Sequence, residues 1–416
     1  MDILAGVPSF EFIMLHRDLE TSETMFLRFV QISTCRNFYF PRRGSMMPNK
    51  RTSLIFIAMG LATVVGCGSS SPSSSSSTTQ PFQNQHLAFV ALPTTNSVAA
   101  YKVDNNSAIF TNILGSPYPG GISPAAVLVH PSNRFVYAAN QIGNDISLFT
   151  VNSTLGSLLE VLPRTPAGLT PAALAMDSGG TLLFALNRVS SSISVYSINS
   201  GNGALTPVTG SPFPTFSNPF TFALTPSGKF LYVLNSEISA VFAYTVTSGV
   251  LQAVAGLPVP VGNGPIAIAV DPAQPFVYVA NSADNTVSVL SINASTGALT
   301  LLGTYATATT ATATTPTAVV ALGQYLYVAN SGTSNISVFT VTPVSGVLTQ
   351  ITSSPFTAGS APSFEVIDPN GKFLYTGSQT EKMISAFSID ATTGAVTETG
   401  ETTTTEFPPV SMSVAQ

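Results

Sequence analysis

The chain has 416 residues, of which only 8% are charged, against about 25% in an average soluble protein. With 44% hydrophobic residues it can bury a core, which excludes a disordered chain, and its shortage of Glu and Lys excludes a helical bundle. The net charge of −5 carries no basic block, so nucleic acid is excluded as a partner. Thirty-one glycines and thirty prolines point instead to all-β structure with many turns.

Taken in chain order, residues 1–45 match no targeting pattern and precede Met46 and Met47, the expected true start. Residues 46–66 read as an export signal: Asn49, Lys50 and Arg51 lead into an apolar run of twelve residues, 54–65. That is too short for a membrane span and suits a signal peptide. The run closes on Val64-Val65-Gly66-Cys67 and resembles the bacterial lipoprotein signal. The resemblance implies cleavage before Cys67, a lipid on Cys67, and a membrane as partner. Gly68, where Asp would retain the protein at the inner membrane, implies the outer membrane. Residues 67–86 are a Ser-rich tether. Cys35 and Cys67 are the two cysteines of the chain. The remaining body, 87–416, therefore holds no disulfide framework or cysteine zinc site.

The body repeats a short phrase: Tyr137-Ala-Ala-Asn140, Phe184-Ala-Leu-Asn187, Tyr232-Val-Leu-Asn235, Tyr278-Val-Ala-Asn281 and Tyr327-Val-Ala-Asn330, its asparagines 46 to 49 residues apart. Degenerate copies at 89–92 and 375–378 make seven. Each unit reads as four short strands, A to D. In the fifth copy these are 265–270, 276–280, 286–292 and 298–302, bounded by Asp271-Pro272, Asn281 and Gly297. Four-stranded units of this length stack radially, which predicts an all-β, seven-bladed β-propeller with antiparallel blades. The first copy lacks a strand A, and residues 408–414 match one. The C-terminal strand is expected to join the N-terminal blade and close the ring, with an open solenoid as the alternative.

The phrase looks like the YVTN-type propeller repeat of bacterial and archaeal surface proteins. With Pro369-Asn-Gly-Lys-Phe-Leu-Tyr375, Asn335-Ile-Ser-Val-Phe339 and Gly297-Ala-Leu-Thr300, the body is similar to the seven-bladed lactonase family. That family includes 6-phosphogluconolactonases and muconate cycloisomerase-type enzymes. The resemblance implies a Pro-Arg-His motif at the start of A strands, beside the channel mouth. There Arg would hold an anionic substrate and His would assist proton transfer. After the corresponding prolines stand Ala125-Ala126, Ala172-Ala173, Phe220-Thr221, Ile266-Ala267, Thr317-Ala318, Ser363-Phe364 and Val410-Ser411. No copy carries the motif.

No catalytic residue is assigned. His130 falls in an A–B turn where other copies have Asp177, Asp271 and Asp368, which suits a cap. The recurrent asparagines are expected to bond turn backbone, and the Tyr and Phe of the phrase to fill the core between blades. Residues 87–416 hold seven basic and fourteen acidic residues. Ligand-binding candidates are Arg164, expected in a D–A loop; Arg188, Glu237 and Asp284 in B–C loops; and Glu365 inside a strand A. Two arginines beside a carboxylate suit an anionic or sugar-like ligand. No cofactor and no metal are expected. Two functions stay open: a lipid-anchored envelope propeller that binds a carbohydrate-like or protein ligand, and a sugar-lactone hydrolase.

Overall fold

A computed structural model describes residues 84–256, 258–308 and 313–415; residues 1–45, the signal 46–66, Cys67 and nearly all of the tether lie outside them. The described chain forms seven antiparallel sheets in a ring, each with strand A innermost and strand D outermost. The first strand begins at Gln85, two residues ahead of the expected body, so His86 belongs to a strand and not to the tether.

Blade 1 is built from both ends of the chain. Gln85–Leu92 is its strand B, and Ser411–Val414 pairs with it as strand A, with Val90 opposite Met412. The closure is reinforced sideways. Ser411 and Ser413 accept hydrogen bonds from the Val127 and Val129 amides of blade 2, at 3.3 and 3.1 Å. In this way the ring closes without an open A-strand edge.

Burial follows the repeated phrase. Every B strand is buried almost end to end because it lies in the middle of its sheet with a blade packed on each face. Tyr137, Tyr232, Tyr278, Tyr327, Tyr375 and Phe184 are all fully buried between blades. Two of the tyrosines also cross to the next blade through their hydroxyls. Tyr137 donates to the Gly203 carbonyl at 2.8 Å and Tyr232 to the Gly297 carbonyl at 3.2 Å.

Strand D departs from the expected single short strand. In blades 1, 3, 4 and 6 it is two pieces, such as Leu205–Pro207 and Phe213–Pro214, both paired with strand C. The gap in blades 1, 3 and 6 is filled by a serine hydroxyl. Ser116, Ser211 and Ser354 each accept the strand C amide of Ala100, Val195 or Val338 at 2.9 Å. Each is followed by proline, which has no amide to offer the ladder. In blade 5 strand D is continuous, Leu299–Ala306, and longer than expected.

Candidate functional site

The B–C and D–A loops share one face, here called upper, where the A strands begin; the A–B and C–D turns form the lower face. The recurrent asparagines hold the upper face together. Asn140, Asn187, Asn281 and Asn330 donate from Nδ2 to Ser147, Ser194, Ser288 and Ser337 on strand C, at 2.8–3.0 Å. They bond strand C hydroxyls, and Asn187 also takes loop backbone, its Oδ1 accepting the Gly168 amide at 3.1 Å. Asn235 follows the expected pattern, its Oδ1 accepting the Glu237 and Ile238 amides. Glycines pack directly on these amides: a Cβ on Gly121 would stand 2.0 Å from Asn140 Nδ2, and one on Gly262 2.6 Å from the Asn281 amide.

Arg164 lies within strand D of blade 2, Leu158–Pro166, and not in a D–A loop. The strand runs on past Pro163, which carries Arg164 along the outer part of the blade. Its guanidinium pairs with Glu160 through Nε at 2.7 Å and Nη2 at 3.1 Å. Glu160 also accepts from Ser147, which receives the Asn140 amide. Arg164 thus belongs to a structural chain of four side chains within its own blade, and Glu160, not Glu237, is the carboxylate that it meets.

Two candidate carboxylates clamp loops together. Glu237 Oε2 accepts from Asn218 Nδ2 at 2.7 Å, and Asp284 accepts the Asn263 amide at 2.7 Å and its side chain at 3.1 Å. Each joins the B–C loop of a blade to the loop that enters its strand A. Glu381 does the same in blade 7 through the Ser360 amide.

Arg188 is different. Its guanidinium lies over the ring of Phe220 at 4.5 Å from the centroid, and it meets no carboxylate or hydrogen-bond acceptor among the described residues. Phe220 follows Pro219 at the start of strand A of blade 4. A cation from blade 3 is thereby stacked at the strand position where the resemblance implied an arginine. Cation and ring hold each other in place.

Glu365 lies in strand A of blade 7, Pro362–Ile367. Both carboxyl oxygens are buried without a partner. Burial holds the carboxyl well above the usual carboxylate range, and the nearby Ala329 backbone offsets this only in part. The equivalent positions are Val127, Leu174, Phe222, Ile268, Val319 and Met412, opposite Ala138, Ala185, Val233, Val279, Val328 and Val90. Blade 7 alone sets a polar pair there, Glu365 opposite Thr376. The Tyr327 hydroxyl is also buried without a partner. Burial, then Tyr325, Glu365 and Asp390, raise its pKa.

His130 is a buried cap in its turn, Nδ1 on the Ser132 hydroxyl at 2.8 Å and Nε2 on the Gly180 carbonyl of blade 3 at 2.9 Å. It borders a lower-face cavity of ≈ 240 Å³, away from the A-strand starts.

The residues that sequence reasoning missed are apolar. Ile122, Ile142, Leu169, Val189, Phe216 and Ile238 are each more than half exposed (51–67%). All sit in the D–A or B–C loops of blades 2, 3 and 4. Ile142, Leu169 and Val189, with Gln141, Asn144 and Thr170, line an open cavity of ≈ 430 Å³. Comparing the loops of successive repeats would have found four of them. Positions two before the strand A proline and two after the asparagine hold Ile122, Leu169, Ile142 and Val189 in blades 2 and 3. The same positions hold Asn263, Thr314, Ser360, Ala283, Gly332 and Thr380 in blades 5 to 7.

A family model described as lactonase, 7-bladed beta-propeller, matches residues 79–218 and 214–412. Among solved structures, a putative 6-phosphogluconolactonase of Bacteroides uniformis is similar at TM-score 0.68 and 19% identity, covering 80% of this chain and 100% of that one. The periplasmic gluconolactonase of Pseudomonas aeruginosa is similar at TM-score 0.68 and 20% identity, covering 80% and 99%. A putative 6-phosphogluconolactonase of Bacteroides fragilis is similar at TM-score 0.66 and 20% identity, covering 83% and 100%. At these identities the likeness is one of fold. No curated protein matches the sequence.

Proposed function

The chain belongs to the family of seven-bladed β-propeller lactonases, and from that premise we propose that it is a binding member, taking a carbohydrate-like or protein ligand on its upper face. Fold does not transfer activity; the site must supply it. The observation that carries this reading is the composition of the seven A strands around the channel. Together they hold one ionisable residue, Glu365, and its carboxyl is shut into the wall. General acid–base opening of a lactone needs a titrating group within reach of the ring oxygen or of an attacking water. His130, a lower-face turn cap, does not supply one.

Arg188, free of any carboxylate, is the residue proposed to hold an anionic group of the ligand. Arg164, Glu237 and Asp284 support strands and loops of their own blades. We also propose export and attachment to the envelope through a lipid on Cys67, the outer membrane being implied by Gly68.

A lactone hydrolase is the second reading, favoured by the family match. Purified protein offered sugar lactones of several sizes separates the two. The expected result is turnover indistinguishable from buffer; saturable turnover that survives further purification would overturn the binding reading. Mass spectrometry of lipid extracts and tryptic peptides tests the anchor, which requires an acylated Cys67 at the mature N-terminus.

A further inference from the structure

Six large apolar side chains project from the loops of three consecutive blades, and no large apolar side chain is exposed in the upper-face loops of blades 5, 6, 7 and 1 among the described residues. An isolated exposed leucine needs no explanation; a contiguous apolar arc does. Two of its parts are held rigid. The Phe216 ring stacks on buried Phe242 at 3.9 Å between centroids, with 18° between planes. Arg188 is fixed over Phe220. Groups ordered before binding lose little entropy on it, and aromatic and arginine anchors of this kind carry most of the energy in protein interfaces.

We infer that the upper face of blades 2 to 4 docks a polypeptide segment of another protein, apolar with one carboxylate that pairs with Arg188. The inference rests on the ligand-binding reading and chooses between its two ligand classes.

Three observations select this occupant. The arc runs over three successive blades, from Ile122 on blade 2 to Ile238 on blade 4, and its composition is apolar where a glycan needs hydroxyl partners. Arg188 is the one cation of the arc and forms no ion pair among the described residues; Asp145 and Glu237 are bonded instead by the side-chain amides of Asn140 at 2.6 Å and Asn218 at 2.7 Å. Lastly, Gln85 begins strand B of blade 1 and that strand ends in a B–C turn at Pro93–Thr95. The chain therefore enters the body at the lower face, on the side away from the arc.

The test selects from a displayed library of random twelve-residue peptides against the full chain and measures the enriched peptides by calorimetry. Enriched sequences should combine apolar residues with an Asp or Glu. Their Kd should weaken at least about tenfold in Arg188→Ala and in the double variant Leu169→Ser, Val189→Ser, and should hold in Ala283→Ser and Thr380→Ala, on blades 5 and 7 outside the arc. All the altered side chains are surface loops, and circular dichroism confirms that each variant folds. Enrichment without an acid, equal binding by Arg188→Ala, or no enrichment at all would overturn the inference. A parallel arm uses gluconate and a mixed oligosaccharide array. Sugar binding lost in Arg188→Ala would keep the binding reading and reject the peptide. Lactone turnover would reject the binding reading itself.

Discussion

At the residue scale, Glu365 stands out because both oxygens of its carboxyl are buried without a hydrogen-bond partner. A buried carboxyl without partners destabilises a fold even when neutral, and six of the seven equivalent positions show that an apolar residue fits there. Glu365→Leu is expected to stabilise the protein by about 1–3 kcal/mol, read as a raised urea midpoint; a lowered midpoint would mean that the carboxyl has a partner in solution. Its pH dependence follows from the direction of its shift. Folding raises the pKa, so the folded chain keeps a proton that the unfolded chain releases above the ordinary glutamate range. Stability therefore falls as pH rises from there and levels off only above the folded pKa. Urea midpoints taken across acidic to neutral pH should show this fall in the parent and lose it in Glu365→Gln. The asparagines work the other way. Asn281 donates to Thr286 at 3.0 Å and to Ser288 at 2.9 Å, and Asn281→Ala should cost about 1–3 kcal/mol by removing both bonds. A loss within measurement error would make the asparagine dispensable.

At the element scale, the loops that enter strand A are shaped by what they pack on. Gly121 lies against the Asn140 amide with no room for a Cβ. Gly121→Ala is expected to cost about 1–3 kcal/mol through overpacking, measured by thermal melting against the parent. The strand that closes blade 1 is short, four residues, yet it decides whether blade 1 has an inner edge. Met412→Ala removes a buried side chain shared by the last and first blades and should cost about 2–5 kcal/mol. Deleting residues 411–416 should go further, exposing the Gln85–Leu92 edge and causing self-association in sedimentation runs. A monomeric truncated protein with an unchanged melt would show that the ring holds without its closing strand.

At the scale of the whole molecule, the low charge takes on a physical meaning. A propeller buries both faces of every sheet, so ionisable groups are confined to turns, loops and outer strands. Most of those described are spent there. Asp177, Asp271 and Asp368 cap A–B turns through backbone amides at 2.6–2.8 Å, and Glu237, Asp284 and Glu381 clamp upper-face loops. Few remain for chemistry, which is why Arg188 and Glu365 stand apart. The lactone assay is the decisive measurement at this scale: without turnover, the charges left over are those of a binding surface.

Much of this was legible from residues alone. The period of the Tyr-to-Asn phrase is a local signal, since each copy must form the same buried central strand, and it led to blade number, strand order and ring closure. The candidate site was legible only in part. Glu365, Arg188, Glu237 and Asp284 fall on the elements expected of them, because strand and loop membership follow from position in the repeat. Arg164 does not, because strand D is an outer strand whose length depends on pairing with its neighbour and not on its own pattern. Which charges are free was beyond reach for the same reason: Glu160, Asn218, Asn263 and Phe220 become partners only when strands and loops meet. Repetition along the chain determined the architecture, whereas the packing of each blade and of blade against blade decided which side chains were consumed in holding it and which were left facing outward.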